Sequence, residues 1–220
     1  MQVIHRFTPP TSNDTGDCME GFRAINSSIK SSMDKLIAAI ALVFFTPLMA
    51  IIALAIKFTS PGPVLFKQQR NGLNGAVIEV WKFRSMVVHR EDADQVSQAT
   101  KHDPRITPIG RLIRRTSIDE LPQLFNVLQG TMSLVGPRPH AVAHNDYYAE
   151  KIGSYAARHR TKPGMTGLAQ IKGFRGETET LDKMIRRVEH DIDYIRRWNP
   201  WLDLKILFLT PVSLLSSDIY

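Results

Sequence analysis

One stretch of 21 residues without a charged side chain most constrains how this chain can fold. Residues 36–56 have the sequence LIAAIALVFFTPLMAIIALAI. As a helix rising 1.5 Å per residue, this stretch is long enough to cross about 30 Å of hydrocarbon. Soluble helices seldom stay apolar on every face over such a length. The stretch therefore predicts contact with a bilayer, in preference to the alternative of a buried helix in a soluble protein.

The path through the bilayer depends on Thr46 and Pro47 at the midpoint of the stretch. Proline removes a backbone hydrogen bond and kinks a helix, which predicts a bend in mid-membrane. Basic residues flank both ends: Lys30, Lys35, Lys57, Lys67 and Arg70. Because the positive-inside rule then favours neither orientation of a span, the prediction is a re-entrant helical hairpin over residues 29–58, broken at Thr46-Pro47. A kinked full span is the alternative.

The remaining segments suggest one further domain. Residues 1–28 are polar, lack apolar periodicity and predict a flexible leader. Residues 59–220 suit a single domain that needs no disulfide, since Cys18 is the only cysteine. A net charge of +7 attracts polyanions, which include nucleic acid, anionic lipid and phosphorylated small molecules. The sequence contains neither the Gly-x-x-x-x-Gly-Lys phosphate loop nor the Gly-x-Gly-x-x-Gly fingerprint, so ATP hydrolysis and dinucleotide chemistry lose their usual support.

Local patterns predict a mostly helical α+β fold. Residues 64–86 predict a small β-hairpin with an Asn-Gly turn. Residues 91–103 are polar and are predicted to begin as helix, while amphipathic helices are predicted at 109–115 and 118–128 and a further helix at 181–198. The C-terminal tail carries Trp198 and Trp201 beside many apolar residues. It predicts either an interfacial helix at headgroup depth or ordinary core packing.

The segment Ser117-Ile118-Asp119-Glu120 supports two compatible interpretations. Ser-x-x-Glu is a capping box, and Pro122 indicates a helix start nearby. Backbone N–H groups at a helix N-terminus also favour phosphate, so a carboxylate there could attack a phosphorus atom while its neighbour holds a divalent cation. Asp119 and Glu120 are therefore both the capping and the catalytic candidates.

Basic side chains surround this segment in the sequence: Lys82, Arg84, Arg105, Arg111, Arg114, Arg115 and Arg138. Most arginines are solvated surface, but Arg138 lies between two prolines. A rigid loop lowers the entropy lost when its guanidinium grips a phosphate. His140 and His144 could share a helical face, yet no cysteine or third histidine accompanies them, so core or surface roles are favoured over a metal site.

Several motifs together resemble one family. TSPGPVLFKQQRNGLNG, WKFRSM, DPRITPIGRLIRRTSIDELPQLFNVLQGTMSLVGPRP and KPGMTGLAQIKGFRG occur in order over residues 30–210. They are similar to the bacterial sugar transferases called monotopic phosphoglycosyl transferases, which also carry a broken apolar helix ahead of these motifs. The resemblance implies a catalytic domain on the cytoplasmic face of the bacterial inner membrane.

The resemblance also implies a reaction. The aspartate matching Asp119 attacks the sugar-bearing phosphate of a UDP-sugar, UMP leaves, and polyprenyl phosphate collects the phosphosugar. Mg²⁺ is the expected cofactor, with Asp119 or Glu120 as ligand. The substrate-binding residues expected are Lys82, Arg84, Arg105, Arg114, Arg138 and Gln170.

Finer expectations follow from the same resemblance. The segment GPRPHAVAHNDYY is most similar to members that start exopolysaccharide synthesis with glucose 1-phosphate on undecaprenyl phosphate, and galactose or an N-acetylated sugar is the alternative. Larger members carry an additional membrane region ahead of this unit. The expected partners are a second copy of the chain, in a homodimer, and downstream glycosyltransferases. Nucleic acid is not an expected partner. The alternative from another class is a basic membrane adaptor or nucleic-acid-binding module. A third possibility is an integral-membrane transferase that uses a metal-bound acceptor without covalent catalysis.

Overall fold

The computed structural model describes residues 24–87, 103–176 and 180–216, and its elements confirm a mostly helical α+β fold. The helices are α1 (Ser28–Thr59), α2 (Pro108–Arg115), α3 (Gln123–Gln129), α4 (Val142–Lys151), α5 (Leu168–Ile171), α6 (Leu181–Arg196) and α7 (Pro200–Ser216). The strands are β1 (Leu65–Asn71), β2 (Val77–Phe83), β3 (Ser133–Val135) and β4 (Gly164–Thr166). Short 3₁₀ helices lie at Leu73–Gly75, Ile118–Glu120 and Tyr155–Arg160. The predicted leader and the predicted helical start in residues 91–103 lie almost wholly outside the described residues.

Helix α1 contains the apolar stretch and runs for 32 residues without interruption. It begins after Ser27, whose side chain accepts a hydrogen bond from the Lys30 amide. Pro47 lies inside the helix, and the Thr46 hydroxyl donates to the Leu42 carbonyl over 2.6 Å. Pro47 therefore interrupts the backbone hydrogen bonds of α1 without ending the helix. The re-entrant path stays a prediction.

The two faces of α1 have different environments. Along one face both halves pack on the rest of the protein: Ala38 and Leu42 join the core of Leu124 and Val127, while Ile56 packs near Ile113. The opposite face is an exposed apolar stripe of Leu36, Ile40, Val43, Phe44, Ile51, Leu54 and Phe58. Only 17% of the most apolar 18-residue window of α1 is buried. A core helix would be mostly buried, so α1 fits the predicted bilayer contact better than the soluble alternative.

A buried ion cluster fastens the start of α1 to the rest of the protein. The Lys30 ammonium lies 2.9 Å from Asp34 and 2.8 Å from Asp203 at the start of α7. Ser133 on β3 donates to Asp34, and the Tyr194 hydroxyl on α6 donates to Asp203. Each carboxylate thus has both a cation and a hydrogen-bond donor, which offsets the cost of burying its charge.

The predicted hairpin is confirmed by antiparallel pairing of β1 with β2, from Leu65 opposite Phe83 onward. The turn uses the second Asn-Gly pair, since Asn74 and Gly75 have φ angles of 54° and 77°. On α3, the Asn126 side chain accepts from the Trp81 amide and donates to the Glu79 carbonyl. This side chain therefore fixes α3 against β2.

Two short strands far apart in sequence, β3 and β4, pair in parallel. Just beyond them, Gly136 donates to the Thr166 carbonyl, and Gly164 donates to the Pro137 carbonyl. A Cβ on Gly164 would lie 2.1 Å from the Gly136 nitrogen. Only glycine allows this approach, which joins the Gly136-Pro137-Arg138-Pro139 loop to the segment after residue 162.

The C-terminal helices correspond to the predicted ones with shorter bounds. Helix α6 ends at Arg196 instead of 198. One side of α7 packs in the core, as the second expectation for the tail has it, since Asp203 and Ile206 are buried. The other side exposes Trp201 and Phe208 by 79% and 80%, and its position at headgroup depth stays a prediction.

Candidate active site

Asp119 and Glu120 occupy a 3₁₀ turn (Ile118–Glu120) between α2 and α3. Ser117 enters this turn with φ 57°, a left-handed conformation, and makes no side-chain cap. The predicted capping box is therefore wrong, because the Ser117 hydroxyl accepts a hydrogen bond from Arg175 over 2.7 Å. Within the turn, both acidic residues are only 8% exposed. Burying two adjacent acids is costly unless cations surround them.

Three cations meet the Glu120 carboxylate. Lys82 on β2 lies 2.9 Å from Oε1, and Arg138 forks onto both oxygens at 2.6 and 3.1 Å. Arg175 lies 3.9 Å from Oε2. Burial alone would raise the pKa of Glu120, but attraction first to Arg138 and then to Lys82 holds that pKa well below its ordinary value. Glu120 is therefore ionised at neutral pH and orients the cations around it.

The pKa of Asp119 is shifted in the opposite direction. Burial, reinforced by the neighbouring charge of Glu120, raises the pKa of Asp119 to about 6, although Lys82 and Arg114 act against the rise. Within the described part of the chain, no group donates a hydrogen bond to the Asp119 carboxylate. Two adjacent carboxyls with separated pKa values are typical of sites that divide chemical roles. A carboxylate to which none of the described residues donates a hydrogen bond fits the predicted nucleophile better than Glu120 does.

Comparisons with known proteins show the family to which the chain belongs. The profile described as bacterial sugar transferase matches residues 25–217, nearly the whole described structure. The chain belongs to the bacterial sugar transferase family. It is 55% identical over 186 residues to the UDP-glucose:undecaprenyl-phosphate glucose-1-phosphate transferase of Escherichia coli (strain K12). The matched residues make up 84% of this chain and 40% of that relative.

Two other members of the family match more of their own length. A protein of Caulobacter vibrioides with the same name is 54% identical, over 86% of this chain and 70% of the relative. The exopolysaccharide production protein PSS of Rhizobium leguminosarum bv. phaseoli is 47% identical, over 84% of this chain and 94% of the relative. The chain thus spans about two fifths of the Escherichia coli relative but nearly all of PSS.

Of the substrate-binding residues predicted for this family member, the structure brings Lys82, Arg114 and Arg138 to the carboxylates. Arg84 lies elsewhere. Its guanidinium donates to the Ser60 carbonyl and hydroxyl and to the Pro61 carbonyl, each over 2.8 Å. These contacts hold the end of α1, where backbone carbonyls lack helical partners. They give Arg84 a structural role at the end of α1, and the phosphate clamp stays a prediction.

Arg105 and Gln170 also make contacts away from the carboxylate pair. Arg105 forks onto Asp103, with its Nε and Nη2 atoms 2.9 and 2.6 Å from the two oxygens. Gln170 is buried and donates to the Met165 carbonyl over 3.1 Å, while its Oε1 accepts nothing. Substrate binding by these two residues stays a prediction.

Two arginines at the site were not among the predicted substrate-binding residues. Arg175 contacts Ser117 and Glu120, and it lies in the quoted motif KPGMTGLAQIKGFRG, which was the available signal. Arg70, predicted only as a charge flanking the membrane stretch, is the second. Burial, and then the charge of Arg138, lowers the pKa of Arg70 to about 10, while Glu120 raises it. The site is therefore richer in cations than the sequence suggested.

The residues that could hold a metal are few. Among the described residues, no three His, Cys, Asp or Glu side chains cluster as a metal site. His140 is buried against Arg158, and burial together with nearby arginines lowers its pKa well below the ordinary value. This agrees with the preference for a core role for His140. The His144 side chain lies outside the described side chains. The carboxylates of Asp119 and Glu120 are adjacent in the chain, and Mg²⁺ often uses one or two carboxylates plus substrate phosphates, so Mg²⁺ binding by this pair stays a prediction.

Proposed function

We propose that this protein transfers glucose 1-phosphate from UDP-glucose to undecaprenyl phosphate through a covalent intermediate on Asp119. The observation that carries the proposal is the asymmetry of the carboxylate pair. Glu120 is bound by Lys82 and Arg138, whereas Asp119 accepts no hydrogen bond from the described residues. The names of the relatives supply the substrates.

In the first half of the proposed reaction, an Asp119 oxygen forms a bond to the phosphorus that carries the sugar. The bond from this phosphorus to the bridging oxygen breaks, and UMP leaves with that oxygen and its electron pair. Lys82, Arg138 and Arg175 surround Glu120, the neighbour of Asp119. In the proposed reaction they would also face the charge that develops on the phosphate, and prearranged donors of this kind stabilise a transition state. The product is an acyl phosphate joining Asp119 to glucose.

In the second half, an oxygen of undecaprenyl phosphate attacks the same phosphorus. The bond to Asp119 breaks, and the carboxylate is restored as undecaprenyl diphosphate glucose forms. Two bulky substrates then use one site in turn, which predicts ping-pong kinetics. Mg²⁺ would be held by Asp119 and Glu120 together with substrate phosphates, and when bound it would neutralise charge on the diphosphate.

The arrangement of α1 supports attachment to one face of the membrane. Ala38 in its first half and Ile56 in its second half both pack on the same body. A straight span would carry its two ends to opposite faces of the bilayer, and one compact body could not then contact both. The exposed stripe on the other face of α1 would lie in lipid. We therefore infer the re-entrant path, with the site at the cytoplasmic surface, where a lipid phosphate can reach Asp119.

The proposed product starts an exopolysaccharide repeat unit, and the name of the Rhizobium relative ties that protein to exopolysaccharide production. Glucose is the proposed sugar, and galactose or an N-acetylated sugar is the alternative. The homodimer and downstream glycosyltransferase partners stay predictions. The adaptor alternative has less support, because an adaptor has no need of a buried carboxylate to which none of the described residues donates a hydrogen bond.

Exchange of labelled UMP into UDP-glucose in the absence of lipid tests the covalent route. The expected result is exchange by the wild type and by Asp193→Asn, which alters an exposed acid on α6, and none by Asp119→Asn. Lipid-dependent transfer without any exchange would favour direct displacement. Full transfer by Asp119→Asn would contradict the assignment of Asp119, and absence of transfer by the wild type with every UDP-sugar would favour the adaptor.

A further inference from the structure

Arg158 is a buried arginine that lies outside the proposed catalytic groups. It belongs to the 3₁₀ helix Tyr155–Arg160 and is 2% exposed. A buried guanidinium must find acceptors for its N–H groups, or its desolvation destabilises the fold. The acceptors that Arg158 finds therefore indicate what it holds in place.

The acceptors of Arg158 come from two segments, α6 and the loop that carries Arg138 and His140. Asp191 on α6 lies 3.0 Å from Nε and 2.8 Å from Nη2. The His140 ring nitrogen Nδ1 lies 2.6 Å from Nη1, and the Arg138 carbonyl oxygen lies 2.6 Å from Nη2. Arginine only donates, so His140 must accept, which requires a neutral imidazole. The lowered pKa of His140, caused first by burial and then by Arg158, agrees with this.

The Arg138 loop depends on such carbonyl contacts. Pro137 and Pro139 have no N–H, so the loop offers mainly its carbonyl groups for hydrogen bonds. Three successive carbonyls are bound: that of Pro137 by the Gly164 amide over 2.9 Å, that of Arg138 by Arg158, and that of Pro139 by Arg70 over 3.4 Å. The Arg138 carbonyl makes the shortest of these contacts.

A residue of the same helix, α6, makes a similar contact beside Arg175, another arginine of the site. Arg187, one turn before Asp191, is largely buried and donates to the Gly176 carbonyl over 2.9 Å. Gly176 directly follows Arg175, which contacts Glu120. Two buried arginines thus each fix a backbone carbonyl at or beside an arginine of the site.

We propose that Arg158, held by Asp191, is a positioning residue that fixes the Arg138 backbone and so aims the Arg138 guanidinium at Glu120 and at the substrate phosphate. This inference rests on the proposed function. Asp191 on α6 accepts from Arg158, and Arg158 donates to the Arg138 carbonyl. The Arg138 guanidinium in turn donates to the Glu120 carboxylate over 2.6 Å. Groups of this kind act through geometry, since small misplacements of a catalytic group slow a reaction steeply.

The primary test is Arg158→Lys. Lysine keeps one charge and can still meet Asp191, but a single ammonium lacks the planar fork that reaches Asp191, His140 and Arg138 together. The expected result is a fall in kcat/KM for UDP-glucose of about 10- to 100-fold. Most of the loss should be in kcat, because Lys82 and Arg175 still contact Glu120. Asp191→Asn is the second variant, should Arg158→Lys fail to fold.

A double-mutant cycle separates positioning from general damage to the fold. If Arg158 acts through Arg138, then Arg138→Met combined with Arg158→Lys should be no slower than Arg138→Met alone, within about twofold. Losses that multiply would overturn the proposal. The matched control is Asp193→Asn, two residues from Asp191 on α6 but in an exposed ion pair, and it should match the wild type.

Hydrogen–deuterium exchange gives a readout that does not depend on turnover. Amides in residues 136–141 should exchange faster in Arg158→Lys than in Asp193→Asn, since the loop has lost a carbonyl contact. Unchanged exchange, or a kcat/KM equal to that of the wild type, would overturn the positioning role. A wild type without sugar transfer would refute the proposed function alone, and the exchange data would still decide whether Arg158 holds the loop.

Discussion

The rate of sugar transfer should fall below about pH 6, because the pKa of the proposed nucleophile Asp119 is raised from 3.8 to about 6. Only the ionised carboxylate attacks phosphorus, so activity is full above the raised pKa and is lost as the pH falls through it. A rise of this size corresponds to about 3 kcal/mol in favour of the neutral carboxyl. At pH 5 about one molecule in eleven would carry the carboxylate, against about nine in ten for an unperturbed aspartate.

The fall in activity at low pH is the acid limb of the pH profile. Two substitutions should move this limb along the pH axis in opposite directions. Lys82→Met removes a positive charge that lowers the pKa of Asp119, so the limb should move to higher pH. Glu120→Gln removes a negative charge that raises the pKa of Asp119, so the limb should move to lower pH. Charges this close typically change a pKa by about one unit or more.

The assay is the pH profile of kcat/KM for UDP-glucose, which reports ionisations of the free enzyme. Because each profile is normalised to its own plateau, slow variants can still be compared. Lys67→Met is the control, since Lys67 pairs with Glu79 on the exposed side of the hairpin. A wild-type limb near pH 4, or limbs that move together in the two variants, would refute the reasoning.

Two further predictions concern the fold that supports the site. Lys30→Met leaves two buried carboxylates without their shared cation, and it should lower the free energy of unfolding by about 3–5 kcal/mol in a detergent thermal melt; exposed Lys57→Met should change it by less than about 0.5 kcal/mol. Gly164→Ala places a Cβ 2.1 Å from the Gly136 nitrogen, so the protein should melt earlier and transfer sugar more slowly, whereas Gly153→Ala, which has open space around it, should do neither. Equal melting temperatures within either pair would contradict the corresponding contact.

Much of the fold could be predicted because it depends on local pattern. The 21-residue apolar run predicted α1, and Asn-Gly between two strand-like runs predicted the hairpin. The pairing of β3 with β4 was not predicted, since each strand has three residues and the two are separated by 28 residues of chain. Only the close contact of Gly136 and Gly164 makes that pairing possible.

The site could be predicted in part. Motif resemblance located Asp119, Glu120, Lys82 and Arg138, which the structure brings together. The sequence did not reveal hydrogen-bond partners that only the tertiary fold brings together. Arg84 donates to a carbonyl at the end of α1, and Ser117 accepts from Arg175 instead of capping a helix. An arginine in a sequence shows that donors are present, but only the fold decides which acceptors they meet.

Intact-protein mass spectrometry tests the central claim most directly. The detergent-solubilised protein is mixed with Mg²⁺ and each of several UDP-sugars, without undecaprenyl phosphate. The account predicts a hexose-phosphate adduct on the wild type and on Asp193→Asn that is absent from Asp119→Asn, with highest occupancy for UDP-glucose. Lipid-dependent turnover without any adduct, or an adduct that persists in Asp119→Asn, would contradict a covalent intermediate on Asp119.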